Sequence, residues 1–289
     1  MNKKLISPYL FAFCLSGLAC SMASATTTLL SENFPTGERL TQDLPQTAAW
    51  YGTFGSGISD TTGNLTSDAQ RYALAYFTDS GTINLAEGES IGFNFSVSVT
   101  DPASNNSALR IGILNSGGER ISADGAGLAN TIFNGYTGYC TGLSINSDNA
   151  ASVYERVPGL DPASNSLISS ISDCYETLGS KIGSGATFGN GTFYDVSLTL
   201  THTDAGMVIS VTMIDFTGYS ATVTDTTDIT SAFDTFVIYG TPAGMSSFSM
   251  SDIEITYNQI PEPSASMFSL LALPLLALGA VRAIRRRRS

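Results

Sequence analysis

The chain has one histidine, and its position gives little support for acid–base catalysis. His202 is the only imidazole in the 289 residues, so metal sites with two or more histidines are excluded. It has the same parity as Leu198 and Leu200 in an alternating segment, which predicts a place at the end of a core-facing row. No spacing argues for a Ser-His-Asp arrangement. We expect a packed or rim histidine rather than a general base.

The best local pair of carboxylates is Asp252 with Glu254. Two residues apart on a strand, they would share one face at a separation of about 6.7 Å. A glycosidase needs carboxyl groups about 5.5 Å apart for retention, or roughly 6.5 to 9.5 Å apart for inversion. The Glu-x-Asp-x-x-Glu motif of certain glucanases lacks both flanking glutamates here. We interpret the pair as solvent-face charges and expect no enzymatic activity, with a hydrolase that uses another carboxylate pair as the alternative.

Candidate calcium ligands are scattered along the chain. Carboxylate and amide oxygens, which calcium prefers, occur at Asp124, at Asp148 with Asn149, and at Asp225 with Asp228. None of these places fits an EF-hand or another spaced ligand motif. We therefore expect no cofactor and assign no metal ligand, with a loop-bound calcium ion as the alternative.

The charge distribution argues against a nucleic-acid partner. Only 13% of the residues are charged, and the formal net charge is −12. Lys3 and Lys4 stand at the front, and Arg282 and the last arginines stand at the back, whereas all acidic residues lie between Glu32 and Glu262. Such a body repels phosphate backbones.

The first 25 residues have the order of a secretory signal peptide. Lys3 and Lys4 precede an apolar run at residues 5–19 and then Ala23-Ser24-Ala25. This order predicts cleavage after Ala25. The alternative, a lipoprotein acylated at Cys20, lacks the large aliphatic residue usually found three places upstream.

The C-terminal end has the pattern of a membrane span. Pro261-Glu262-Pro263 is followed by a mostly apolar stretch at residues 266–284. These 19 residues would make a helix of about 28 Å, close to the hydrocarbon thickness of a bilayer. The chain then ends in a membrane-stop cluster: Arg285, Arg286, Arg287 and Arg288. The positive-inside rule places this cluster in the cytoplasm and the body outside. An ordinary membrane anchor is one interpretation.

The ordered combination in residues 260–289 also resembles the PEP-CTERM sorting signal. The resemblance implies that Pro261, Glu262 and Pro263 form the motif recognised by an exosortase-type sorting enzyme, which removes the helix and the arginine cluster. It implies an exported protein, anchored in the membrane before processing and then placed at the cell surface or in the extracellular matrix of a Gram-negative bacterium. It says nothing about what the body does.

Cys140 and Cys174 are the cysteines left after removal of the predicted signal peptide. Export into an oxidising compartment favours a disulfide between them. The alternatives are buried free thiols or redox chemistry, but neither cysteine has CxxC spacing or a nearby histidine.

The body, residues 26–259, has the period-two alternation of β-strands and no long helical pattern. The clearest case is residues 89–100, where Ile91, Phe93 and Phe95 point one way and Asn94 and Ser96 the other. Turn residues separate further predicted strands at residues 29–34, 71–77, 108–114, 142–145, 151–157, 192–203, 206–216, 235–240 and 248–257. So many strands favour two stacked antiparallel sheets in one domain, with a hairpin turn at residues 203–206.

This layout resembles the concanavalin A-like jelly-roll of legume lectins and laminin-G-like modules. The resemblance rests on the early Glu32-Asn33-Phe34 segment, the Phe-rich strand at residues 92–99 and the closing strand at residues 250–255. It implies an all-β sandwich between the two terminal signals. A different β-sandwich is the main alternative.

Carbohydrate binding would need aromatic platforms with polar neighbours. The candidates are Trp50 with Tyr51, and Tyr136 with Tyr139, each pair beside glycines. The alternative is that these rings belong to the core or its rim. We expect an exported structural or adhesive protein without catalysis, with a lectin-like module that binds extracellular polysaccharide as the second hypothesis.

Overall fold

The computed structural model describes residues 25–35, 37–53, 57–158 and 166–260, with only the backbone for residues 172 and 173. The predicted signal peptide up to Ser24, the Pro261-Glu262-Pro263 motif, the membrane span and the arginine cluster lie outside these residues. Within the described ranges, no helix is both long enough and apolar enough to cross a membrane.

Alternation of apolar and polar residues builds the strands. In the strand Ser90–Thr100, Ile91, Phe93 and Phe95 are buried, whereas Asn94 is exposed. The apolar residues face the partner sheet because successive side chains on a strand point to opposite faces. The prediction for this segment is confirmed.

Two antiparallel sheets contain nearly all the strands. The eight-stranded sheet consists of β1 (Ala25–Glu32), β3 (Ile58–Thr61), β4 (Asn64–Asp68), β7 (Ser90–Thr100), β12 (Tyr194–Thr203), β13 (Gly206–Met213), β14 (Ser220–Asp225) and β17 (Ser247–Gln259). The seven-stranded sheet consists of β2 (Trp50–Gly52), β5 (Tyr72–Tyr76), β8 (Asn105–Asn115), β9 (Thr137–Ile145), β10 (Asn149–Arg156), β11 (Tyr175–Ser184) and β16 (Thr235–Gly240). A small separate pair joins β6 (Ile83–Asn84) to β15 (Ala232–Phe233).

The connections make this a jelly-roll. The eight-stranded sheet runs β14-β13-β12-β7-β17-β4-β3, with β1 also paired to β17, and the seven-stranded sheet runs β11-β10-β9-β8-β16-β5-β2. The chain crosses directly from one sheet to the other at β1–β2, β2–β3, β4–β5, β7–β8, β11–β12 and β16–β17, and it crosses by way of β6 between β5 and β7 and by way of β15 between β14 and β16. The predicted hairpin joins β12 to β13 with Thr203 opposite Gly206. The predicted all-β, antiparallel sandwich of concanavalin A-like jelly-roll type is therefore confirmed.

The main core lies between the two sheets. Phe93 of β7 stacks on Phe236 of β16 with ring centroids 5.9 Å apart, and Trp50 contacts Phe236 edge-on at 5.8 Å. These aromatic contacts join the inner faces of the two sheets.

A second hydrophobic cluster lies on the outer face of the seven-stranded sheet. Tyr72, Leu74 and Tyr76 belong to it, while the alternating Ala73 and Ala75 belong to the main core. Two loop segments, residues 116–136 and 166–174, supply its outer wall, and we call them the cover. The cover contains a short 3-10 helix (Thr131–Gly135) and a single helical turn, α1 (Ile171–Cys174). This sheet is thus apolar on both faces.

Candidate functional site

The outer face of the eight-stranded sheet is polar, and no described segment of the chain covers it in the same way. Serine, threonine and asparagine side chains pair across its strands, with Thr66 Oγ1 2.9 Å from Ser249 Oγ and Ser210 Oγ 3.0 Å from Thr222 Oγ1. We call this surface the polar face. It comprises the outward side chains of β4, β17, β7, β12, β13 and β14.

An open groove of about 370 Å³ crosses the polar face. Its lining comes from β7, β12, β17 and the residue after β13: Asn94, Phe95, Ser96, Asp195, Val196, Ile214 and Asp252. Phe95 and Val196 border its floor with their side chains in the main core, whereas Ile214 is 68% exposed. The volume falls within the range of small-molecule sites.

A β-bulge aims Asp252 at the groove. Phe248 and Met250 face the core, and so do Ile253 and Ile255. The step from Met250 to Ile253 is three residues instead of the two of a regular strand, so the strand contains one extra residue at this point. Asp252 lies in that bulge with a φ of 51°, in the left-handed region that aspartate tolerates better than most residues. Its side chain is exposed.

Hydrogen bonds fix the opposite side of the groove. Ser96 Oγ donates to Asp195 Oδ1, and the backbone N–H of Ile214 donates to the Asp195 carbonyl at 2.9 Å. The backbone N–H of Asp195 in turn donates to Asp215 Oδ2 at 2.9 Å. Asp195 therefore keeps a fixed position while it remains exposed.

The chemistry of the groove suits a neutral, hydroxyl-rich ligand. Its carboxylates are acceptors only, and the Asn94 amide offers both donors and an acceptor. Exposed Ile214 adds an apolar patch. None of the described lining residues is basic, so an anionic ligand would be repelled. Glu254 is the next residue of β17 after Asp252 whose side chain points away from the core, and it is exposed as predicted.

The opposite face, on the seven-stranded sheet, is closed by arginines that hold the cover. Arg156 is 3% exposed and donates to the carbonyls of Phe133, Tyr136 and Ser166 at 2.7, 3.0 and 2.6 Å. Arg110 donates to the carbonyl of Ile168 at 2.9 Å. Such buried carbonyls would otherwise lose their hydrogen bonds with water.

Two further arginines tie the cover to the rest of the body. Arg120 forms a 2.9 Å ion pair with fully buried Asp234 and lies 4.7 Å from the ring centre of Tyr76. Arg39 binds Asp124 through two hydrogen bonds of 3.0 and 2.7 Å. These hydrogen bonds hold the pKa of Asp124 below its ordinary value.

The prediction of aromatic platforms for sugar binding is wrong for three of the four rings. Trp50 and Tyr136 are fully buried and Tyr139 is 1% exposed, so none of these rings can stack on a sugar at the surface. Tyr136 is sealed by the cover, and its hydroxyl donates to the carbonyl of Glu119 at 2.7 Å. Tyr51 is half-buried.

The suggested calcium loops do not form a ready metal centre. The carboxylate of Asp124 is occupied by Arg39, so it is not free to bind a cation. Asp148 and Asn149 lie at the turn into β10, apart from Asp225 and Asp228. Within the described part of the chain, no three His, Cys, Asp or Glu side chains are grouped closely enough to hold a metal ion.

His202 is half-buried at the end of β12, in agreement with the expected rim position. Its Nδ1 lies 2.8 Å from the carbonyl oxygen of Leu85. This contact fixes the ring to a neighbouring loop.

Cys140 and Cys174 are both buried free thiols, so the predicted disulfide is not formed in this structure. They belong to the same second cluster under the cover. Cys140 lies within β9, opposite Tyr154, whereas Cys174 ends α1 just before β11. Burial raises the pKa of the Cys140 thiol to about 12, which makes it a poor nucleophile.

Comparison with known proteins finds likeness in the fold. No family model matches the chain, and no curated protein matches it. Among solved structures, the chain is similar to arcelin-5, a lectin-like defence protein from Phaseolus vulgaris, with 12% identity and a TM-score of 0.46 over 82% of this chain and 99% of that one. It is also similar to the metal-free carbohydrate recognition domain of Emp46p, with 12% identity and a TM-score of 0.48 over 79% and 94% of the two chains.

A third similar structure is the exoplasmic/lumenal domain of VIP36 in a form bound to Ca²⁺ and Man3GlcNAc. It has 9% identity and a TM-score of 0.47, covering 83% of this chain and 91% of that one. The likeness lies in the strand arrangement, and the binding chemistry of this chain must come from its own residues.

Proposed function

We propose that this protein is an exported, non-catalytic adhesive module that binds neutral polysaccharide through the groove on the polar face. The observation that carries the proposal is the groove itself. It combines Asn94, Asp195 and Asp252 with exposed Ile214 in an open volume of about 370 Å³.

An extended, hydroxyl-rich chain fits this surface. Sugar hydroxyls can donate to the carboxylates of Asp195 and Asp252, and they can both donate to and accept from the side-chain amide of Asn94. The apolar face of a sugar ring can lie on Ile214. The Ser and Thr side chains across the polar face extend the contact beyond one sugar unit.

The terminal patterns support the place where this binding would occur. The predicted signal peptide and the resemblance of the tail to a PEP-CTERM signal together favour export and sorting by an exosortase-type enzyme to the surface or the polysaccharide matrix. A polysaccharide-binding body is well suited to that location.

The test is binding of the full-length chain, purified in detergent, to neutral polysaccharides and to polymers of uronic acids. The informative variant is Asp252→Gly, because glycine adopts the left-handed φ of the bulge without strain and removes only the carboxylate side chain. We expect binding to neutral polymers that the variant weakens about tenfold, equivalent to about 1.4 kcal/mol.

The matched control is Asp204→Asn. Asp204 is exposed in the hairpin after β12, about 30 Å from Asp195 by the strand rise. This variant should bind like the unaltered protein. Equal binding by Asp252→Gly, or a preference for uronic acids, would contradict the proposal.

A further inference from the structure

An acidic cavity lies where one edge of each sheet comes together. Its volume is about 180 Å³, and its lining includes Glu155 of β10, Glu176 of β11 and the loop after β14 with Thr227, Asp228 and Thr230. β14 is the edge strand of the eight-stranded sheet, and β11 is the edge strand of the seven-stranded sheet. This cavity is separate from the groove on the polar face.

Glu155 is the unusual residue of this cavity. It is 8% exposed, and its carboxylate accepts no hydrogen bond from any residue in the described part of the chain. On β10 it lies directly opposite Glu176 of β11. Like charges at directly opposed positions of neighbouring strands destabilise a sheet, and a buried carboxylate without a partner is costly.

The groups around Glu155 give it no compensating charge. On its other side, Tyr139 of β9 directs its hydroxyl to Asp225 Oδ2 at 2.8 Å, and Asp225 is itself buried. Arg156, the next residue on β10, also lines the cavity, but its guanidinium donates to carbonyls of the cover and of Tyr136 on the other face of the sheet. Burial, with the carboxylates of Asp225, Glu176 and Asp228, raises the pKa of Glu155 to about 7.

We propose that this cavity is a divalent-cation site that binds Ca²⁺ through Glu155 and Asp228, with threonine oxygens and water completing the shell. A bound cation would offset the opposed charges of Glu155 and Glu176 and give the buried carboxylate its partner. Calcium is favoured because it takes six to eight oxygen ligands in flexible geometry. The cavity is larger than a bare ion, so the ion keeps part of its water.

The proposed ion would hold the two sheets together at this edge. One ligand comes from β10 in the seven-stranded sheet, and the other comes from the loop after β14 in the eight-stranded sheet. The inference does not depend on the proposed polysaccharide binding.

The test is calorimetric titration of CaCl₂ into the chelator-treated full-length chain at pH 8, with the thermal midpoint measured in parallel. We expect one ion per chain and a midpoint raised by calcium.

Glu155→Gln keeps the shape of the side chain and removes its charge. It should abolish the calcium response while raising the midpoint of the metal-free protein, because the unpaired buried charge is gone. Asp228→Asn, at an exposed position with a φ of 48° that asparagine also tolerates, should weaken binding at least tenfold even if Glu155→Gln does not fold. Asp204→Asn should bind calcium normally.

Two results would overturn the inference. One is the absence of calcium binding by the unaltered chain at pH 8 with 5 mM CaCl₂. The other is unchanged binding in Asp228→Asn or in a folded Glu155→Gln.

Discussion

One of the two sheets has a covered outer face, and the other has an exposed outer face. On the seven-stranded sheet, Tyr72, Tyr136 and Cys140 lie under a cover held by arginines, and that face is a second core. On the eight-stranded sheet, Asn94 and Asp195 remain exposed beside an open groove. The difference shows that one outer face of this sandwich is sealed into a second core while the other stays open to solvent.

The two faces also differ in how they use charge. Arg39, Arg110, Arg120 and Arg156 all bind the cover or the residues that anchor it. The groove, in contrast, has exposed carboxylates and no basic residue among its described lining. Changes under the cover should therefore alter stability, and changes in the groove should alter binding.

The largest expected contrast is in thiol reactivity. Under native conditions at pH 7, Cys140 should react with a maleimide roughly a thousandfold more slowly than an exposed cysteine, because burial raises its pKa to about 12. Peptide mass spectrometry before and after urea treatment measures this rate. Labelling of Cys140 and Cys174 in urea without a reductant confirms free thiols, whereas labelling only after reduction would establish a disulfide. Rapid native labelling would mean that the cover is open.

Arg156→Met should lower the free energy of unfolding by about 3 kcal/mol. The substitution removes the arginine donors to the carbonyls of Tyr136 and Ser166 and one of the two donors to the carbonyl of Phe133, which also accepts from the backbone N–H of Tyr136. Urea denaturation measures the loss, and Arg156→Lys should recover only part of it because one ammonium group cannot span the same carbonyls. A loss under 1 kcal/mol would show that the arginine does not hold the cover.

Tyr136→Phe should cost about 1 kcal/mol, since its hydroxyl bonds both Tyr76 and the carbonyl of Glu119. Tyr51→Phe is the comparison, because Tyr51 is only half-buried, and it should change stability by less than about 0.5 kcal/mol. Neither variant should change polysaccharide binding. A selective loss of binding in Tyr136→Phe would show that Tyr136 contacts the ligand.

Thr222→Val should have the smallest effect, within about 0.5 kcal/mol in thermal or urea unfolding. Thr222 is exposed on β14, and valine is at least as favourable in a strand. A loss above 1 kcal/mol would mean that the hydroxyl pairs of the polar face are structural, and that its surface is not free for a ligand.

The strands of the central sandwich could be predicted because alternation is a local property. Ile91 to Val99 and the hairpin at Thr203 and Gly206 lie where the pattern indicated. The bulge at Asp252 was missed, although the change of parity between Met250 and Ile253 is visible in the sequence.

The candidate site was harder to predict because its parts meet only in three dimensions. Asn94, Asp195 and Asp252 are far apart in sequence, and neighbouring strands bring them together. In the sequence, a tyrosine beside glycines, such as Tyr136, has the same pattern whether its ring is a surface platform or part of the core. Its burial depends on where the cover folds, which local pattern does not determine.

The most direct test of the two-face account is carboxylate footprinting with and without bound neutral polysaccharide. A carbodiimide-coupled amine labels exposed carboxylates, and mass spectrometry measures each site. We expect bound polymer to protect Asp195 and Asp252 while Glu119, exposed on the cover, keeps its labelling rate. Protection of Glu119 with unchanged Asp195 and Asp252 would contradict it and place the ligand on the covered side.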